Sequence, residues 1–347
     1  MTSSEQQHQG SALRITNDEG LLRVSNLTTT FRIRGNRYPA IRNVGFHLDG
    51  NETLALVGES GSGKSITALS IMRLIPQPPG EIVSGQILLK GIDLLGLPEE
   101  KMRGIRGNRV AMIFQEPMTS LNPVLTVGLQ ITESLIYHQS ISKKEAKDRA
   151  VEIMNHVKIP SAVRRFNDYP HQFSGGMRQR VMIAMALACR PEVILADEPT
   201  TALDVTIQAQ ILYLLAELKR EIRMSMIFIT HNLGIVASIA DRVAVMYGGE
   251  IVEIASVTDL FGQPRHPYTE MLLRAVPRVD RTMESLSYIP GQVPSIDRMP
   301  PACRYSTRCE LRKEICDRQP PALLAFPEAT RHFVRCWVRG GEELTGS

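Results

Sequence analysis

Long hydrophobic runs are what this sequence most conspicuously lacks. The longest, Met182 to Cys189, Val193 to Ala196 and Met226 to Ile229, fall far short of the roughly 18–20 residues needed to cross a bilayer. A membrane-spanning helix is therefore excluded. The first residues, Met1-Thr2-Ser3-Ser4-Glu5-Gln6-Gln7-His8, lack the basic-then-apolar plan of a signal peptide. The chain is expected to stay in the cytoplasm, with any membrane role carried by partners. Charge of one sign is also scarce: the formal net charge is +4, too mild to argue for nucleic acid. Arg32, Arg34, Arg37 and Arg42 form a local basic run, which reads as a solvated surface loop. Cysteine is nearly missing before the tail. Cys189 stands alone on a predicted helix as a small core residue, while Cys303, Cys309, Cys316 and Cys336 crowd the end. In a reducing compartment that clustering points to metal or cluster ligation before disulfides. No internal repeat is found.

What is present suffices for one large domain and a smaller one. The chain has 347 residues, 43% of them hydrophobic and 22% charged, ordinary for a soluble protein with a substantial core. Residues 1–19 are polar and aperiodic and read as a disordered tail. From Leu21 to about Val252, short β-branched runs alternate with amphipathic segments, the pattern of an α/β domain with a largely parallel sheet. Strands are expected at Thr53 to Val57, Arg109 to Phe114, Glu192 to Asp197 and Ser225 to Thr230, with a helix from Lys64 to Leu74. Between Gln115 and Ser174 the texture turns helical: Ala146, Ala150, Ile153, Met154 and Val157 recur at helical spacing. That interval suits a compact helical subdomain and is too short for a coiled-coil arm. After about Gly262 the chain becomes proline-rich, which places a domain boundary there.

Gly58-Glu59-Ser60-Gly61-Ser62-Gly63-Lys64-Ser65 fits G-x-x-x-x-G-K-[ST] between a predicted strand and a predicted helix, the context that confirms a phosphate-binding loop. Its glycines let backbone N–H groups and the helix N-terminus face the phosphates. Lys64 should reach the β- and γ-phosphates, and the Ser65 hydroxyl should hold Mg²⁺. Asp197 ends an apolar strand, where a carboxylate is costly unless it serves the metal. Glu198 can polarise the attacking water as general base. His231, after the strand Met226 to Thr230, can bridge phosphate, water and Glu198. Gln115 is a neutral side chain able to touch Mg²⁺ and the water. Ser174-Gly175-Gly176, before a helix beginning near Met177, offers a second anion site with no phosphate of its own. Its natural partner is a nucleotide held by another copy of the domain.

In this order and spacing the motifs resemble the nucleotide-binding subunit of an ATP-binding-cassette (ABC) transporter, over about residues 20–255. The resemblance implies a P-loop ABC ATPase fold of the α/β class: a mixed sheet core, an antiparallel β part and a helical subdomain. It assigns residues 20–262 to the nucleotide-binding domain, with the helical signature subdomain at about 116–185, and residues 263–347 to a small Pro/Cys-rich extension. Two such subunits close head to tail on ATP and Mg²⁺, between the P-loop of one and the signature, Phe173 to Met177, of the other. Gln115 matches the Q-loop glutamine, Asp197 and Glu198 the Walker B pair, Asp204 the D-loop and His231 the switch histidine. The usual signature ends in Gln where this chain has Met177; the anion-binding serine and N–H groups are unaffected. The family stacks adenine on an aromatic residue before the P-loop, for which Phe31 and Tyr38 are candidates, Phe31 slightly favoured.

Three stretches resemble the importers of di- and oligopeptides: Phe114 to Met118, Phe173 to Arg180, and His266-Pro267-Tyr268-Thr269. So does Pro290-Gly291-Gln292-Val293-Pro294. The cysteines, spaced C-x₅-C-x₆-C-x₁₉-C, lack the close pairs of structural zinc. Four thiolates could hold an iron–sulfur cluster, zinc or nothing; the peptide-importer resemblance implies a [4Fe–4S] cluster. The resemblance further implies a second ATPase subunit (a paralogue), two transmembrane permease subunits and a periplasmic or lipid-anchored solute-binding protein. It places the chain peripherally on the cytoplasmic face of the cell membrane and implies no nucleic acid. Nickel, opines or glutathione-like molecules are alternative solutes. A soluble ABC ATPase of DNA repair is disfavoured by the short helical interval, and a ribosome-acting one by the single cassette.

Overall fold

The computed structural model describes residues 20–201, 203–275, 291–326 and 331–340; the expected tail at 1–19 lies outside them. The strands are β1 (Leu22–Ile33), β2 (Asn36–Leu48), β3 (Thr53–Val57), β4 (Gly80–Leu89), β5 (Ile92–Asp93), β6 (Val110–Ile113), β7 (Val193–Asp197), β8 (Ser225–Thr230), β9 (Arg242–Tyr247), β10 (Glu250–Ser256), β11 (Leu324–Ala325) and β12 (Phe333–Val334). They form two sheets. One is antiparallel, in the order β2-β1-β4-β5; the other has eight strands, in the order β11-β12-β10-β9-β3-β8-β7-β6. Strands β9, β3, β8, β7 and β6 are mutually parallel, and β10, β12 and β11 continue the sheet antiparallel at one edge. The last two strands come from the chain beyond residue 262, so the extension adds to the cassette's own sheet.

Side-chain alternation assigns each strand residue to a layer. Leu54 and Leu56 of β3, Leu195 of β7 and Ile227 and Ile229 of β8 pack towards the antiparallel sheet with Val24, Val44 and Phe46. Ile194, Ala196, Met226 and Phe228 point the other way, into the helical half. There the helix Lys143–His156 contributes Ala146, Ala150 and Met154, all fully buried, with Val157 at its end. Cys189 is buried in the same core, its thiol 3.6 Å from the Ser134 carbonyl. A third core joins Ala55, Val57, Val243, Val245 and Tyr247 to Tyr268 and Tyr305 of the extension.

Strand register sets up the site. Val57 lies beside Thr230, Asp197 beside Ile229, and Ile113 beside Ala196. The loops leaving β3, β6, β7 and β8 therefore emerge together at the carboxyl ends of parallel strands, where open α/β sheets bind their ligands.

Candidate nucleotide site

The loop after β3 wraps back on itself before the helix Lys64–Ile71. Two glycines are required by its shape. A Cβ on Gly58 would stand 2.2 Å from the Met246 carbonyl oxygen, and one on Gly63, at φ +101°, would stand 2.8 Å from Ile41. Lys64 is buried and folds over the loop, its Nζ donating to the Gly58 carbonyl at 2.8 Å and the Glu59 carbonyl at 3.0 Å. Burial lowers its pKa, opposed by Glu198, Asp197 and Glu59. The Ser65 hydroxyl donates to Asp197 Oδ1 at 3.0 Å. Burial raises the Asp197 pKa against that hydrogen bond. A cation placed there would relieve both the buried carboxylate and its neighbour Glu198.

Glu198 is the centre of a small network. Its Oε2 accepts from Gln115 Nε2 at 3.3 Å and from the Thr201 hydroxyl at 2.9 Å, while His231 Nδ1 stands 3.1 Å from Oε1. Burial pushes its carboxyl up, but the His231 and Thr201 hydrogen bonds and the nearby Lys64 outweigh this and hold it below the usual glutamate range. A depressed pKa keeps this carboxylate ionised near neutrality, as a general base requires. Gln115 is thus placed against Glu198, and Thr201 is a contact that sequence reasoning missed.

These groups line an open cavity of about 750 Å³ with Glu59, Ser60, Gly61, Ser62 and Gly63. The donors suit a triphosphate and a hard cation: a lysine, a hydroxyl, an amide and one buried carboxylate. The far wall was not foreseen. It is made by Pro39 and Ala40 of β2, by Gly248, and by Pro294, Ile296, Met299 and Arg304 of the extension. Phe31 and Tyr38 face each other across the β1–β2 hairpin, and the Phe31 ring packs close to Gly80. Neither is among the cavity's described lining residues. Arg42 is not the surface-loop residue expected: it binds Glu250 at 2.5 Å and the carbonyls of Pro301 and Ala302.

The signature stands elsewhere. Ser174 caps the helix Gly175–Leu187 without a side-chain cap hydrogen bond, and Ser174 and Gly175 are exposed. Gly176 is tight against Ile207, where a Cβ would stand 2.7 Å from its methyl, and Met177 is half-buried. Asp204 caps the helix Val205–Ile222 through Ile207 N at 2.9 Å. None of Ser174, Gly175, Gly176 or Met177 reaches this chain's own cavity.

In the tail, Cys303, Cys309, Cys316 and Cys336 share one neighbourhood. The Cys303 N–H donates to the Cys316 carbonyl at 3.0 Å. Burial raises the Cys303 thiol to about 12, with further upward pressure from Cys316, Cys336 and Cys309. Burial likewise raises Cys309 and Cys336. Yet among the described residues no three His, Cys, Asp or Glu side chains are grouped to hold a metal ion. The expected cluster thus has its four candidate ligands together but no formed metal site.

Comparison with known proteins now bears on the site. Residues 41–201 match the family model described as ABC transporter, and residues 252–316 match that of the oligopeptide/dipeptide transporter C-terminal region. The chain is 52% identical over 319 residues, 92% of its length and 88% of the relative's, to the oligopeptide transport ATP-binding protein OppD of Bacillus subtilis (strain 168).

The chain belongs to the ATP-binding proteins of oligopeptide/dipeptide ABC transporters.

Another member of this ABC family, the dipeptide transport ATP-binding protein DppD of the same organism, is 50% identical over 92% of this chain and 95% of that one. A solved ABC cassette, MJ0796, described as a dimer in a post-hydrolysis state bound to ADP and Pi, superposes with a TM-score of 0.61 at 29% identity, covering 68% of this chain and 98% of that one. The chain is thus an ABC ATPase, whose hydrolysis is coupled to transport. No helix among the described residues is long and apolar enough to cross a membrane.

Proposed function

We propose that this ATPase energises the uptake of di- and oligopeptides. The observation that carries the reading is the joining of a complete phosphate-binding and base constellation to a tail matching the oligopeptide/dipeptide C-terminal region. Lys64 and the loop N–H groups bind the phosphates of ATP, and Glu198 draws a proton from the attacking water, steadied by His231, Thr201 and Gln115. Ser65, Asp197 and Gln115 hold Mg²⁺, which when bound neutralises charge developing on the phosphates. Adenine stacks on one of the two aromatic candidates, Phe31 or Tyr38, with Phe31 slightly favoured. Ser174, Gly175, Gly176 and Met177, with Asp204 beside them, serve ATP held by a second ATPase subunit, a paralogue of this chain.

Two permease subunits and a periplasmic or lipid-anchored solute-binding protein complete the transporter, with this chain peripheral on the cytoplasmic face of the membrane. Support for a docking face comes from Met118, Val124 and Leu129, exposed by 67%, 74% and 48%. Arg178 ties Met118 to Pro170 and His171, and Val127 N binds the Asp168 carbonyl at 2.9 Å, so the loops carrying this face are joined to one another. The test is the transporter purified with its membrane subunits and reconstituted in vesicles. ATP turnover stimulated by peptide-loaded binding protein is expected. Stimulation by nickel, an opine or a glutathione-like solute, with none by peptides, would overturn the assignment.

The four tail cysteines belong to the same proposal as ligands of a [4Fe–4S] cluster, which would cross-link a segment poor in core. Their shared neighbourhood supports it. Protein purified without oxygen is expected to contain iron and to absorb near about 400 nm. Colourless, iron-free protein would remove the cluster.

A further inference from the structure

The tail touches the phosphate-binding loop directly, and nothing in the ATPase reaction as described uses that contact. Arg308 Nη1 donates to Glu59 Oε1 at 3.0 Å and Oε2 at 3.1 Å. The Arg308 side chain is 5% exposed and Glu59 28%, so the arginine is shielded and the glutamate half-buried. The Glu59 N–H donates to the Tyr268 hydroxyl at 2.9 Å. Glu59 is the second residue of the loop, and Lys64 holds its carbonyl; its position therefore bears on the whole turn.

The groups making this contact are themselves locked. Tyr268 is fully buried on the helix Pro267–Arg274, and its ring meets Tyr247 at 4.7 Å and Tyr305 at 5.4 Å. The Arg308 guanidinium lies 5.7 Å over the Tyr247 ring. A second arginine grips the other side. Arg304, 4% exposed, donates to the Gly248 carbonyl and to the Pro39 carbonyl. The adjoining Gly249 N–H binds the Ser62 carbonyl of the loop at 2.9 Å. Both arginines lie between Cys303 and Cys309, so one short segment reaches the loop from two directions.

We propose that the segment 303–309 is a latch on the ATP site, in which Arg308 is a positioning residue that sets the shape of the phosphate-binding loop through Glu59. Nucleotide affinity is then set in part by chain outside the cassette. The inference rests on the ATP site and is independent of the solute carried. One Arg308 nitrogen serves both Glu59 oxygens, and removing either partner of so enclosed a pair strands the other charge. The stranded charge is relieved by loosening the loop, which weakens the N–H cradle that phosphate needs.

The test uses the full chain and the fluorescent nucleotide mant-ADP, which binds without turnover. Arg308→Gln and Glu59→Gln are each expected to raise its Kd about tenfold. The double variant should be no weaker than the worse single, because both act through one contact. Arg308→Lys should recover part of the loss. In turnover assays the defect should fall more on KM for ATP than on kcat. Glu59→Gln leaves the extension's cation in place and decides the matter if Arg308→Gln does not fold. Kd values for both single variants within about twofold of wild type, or losses that add in the double variant, would overturn the latch. Lys64→Ala reports on the ATP site itself: if it binds mant-ADP like wild type, the site reading fails and not the latch.

Discussion

Glu198 sits at φ +46°, a left-handed conformation that costs a non-glycine residue on the order of 1–3 kcal/mol. The backbone is held there by its N–H to the Ile229 carbonyl and by Thr201 N–H to its own carbonyl. From that backbone its carboxylate reaches His231 at 3.1 Å. Glu198→Gln keeps the shape but removes the base, so ATP should still bind while turnover falls by at least about 10²-fold; ATP-dependent dimers should accumulate on gel filtration. Turnover near wild type would assign the base elsewhere. A second residue reports on pH. His266 caps its helix by accepting from Tyr268 N at 3.1 Å, which requires a neutral ring. Burial, partly opposed by Glu253 and aided by Arg335 and Arg339, pushes its pKa down to about 4 from about 6.5. The unfolded chain therefore takes up the proton first. This contribution to stability is complete above about pH 6.5 and drains away as pH falls towards about 4. His266→Asn retains a capping side chain without titrating. Its Tm should fall less than the wild-type Tm between about pH 7 and 5.

At the scale of elements, β8 shows how sharply alternation divides the layers. Phe228 is fully buried in the helical half, and its neighbours Ile227 and Ile229 in the other core. Phe228→Ala should cost about 3–5 kcal/mol, read from denaturant unfolding. Such strands were legible because β-branched runs bounded by polar residues have few other uses. The expected strands at 53–57 and 225–230 match β3 and β8, and the others differ by a residue or so at an end. The phosphate-binding loop was legible for a related reason: its spacing is a backbone requirement, visible in the contacts a Cβ would make at Gly58 and Gly63. Thr201 and Arg308 were not legible. Thr201 is one hydroxyl in a loop, and Arg308 meets a partner 249 positions away; no local periodicity encodes either. The His266 to Thr269 stretch carried a signal without a meaning until the Tyr268 hydroxyl was seen on Glu59 N.

Across the whole molecule, the proposed signature stands apart from the cavity that Lys64 lines. Ser174 and Gly175 are exposed, and none of Ser174, Gly175 and Gly176 is among the residues lining the cavity beside Lys64. A helix N-terminus left exposed in this way can receive a phosphate from outside. Placing a bulky cation there separates the two half-sites. Ser174→Arg should leave the affinity of the isolated chain for mant-ADP unchanged, since the phosphate-binding loop, Arg308 and Glu59 are untouched. Turnover by the assembled ATPase pair should nevertheless fall by at least about tenfold, because the nucleotide on the opposite subunit loses its second set of donors. Equal losses of affinity and turnover would instead mean that the signature acts within its own chain. Undiminished turnover would mean that hydrolysis needs no second subunit at all, and the exposed Ser-Gly-Gly would then be no more than a helix start.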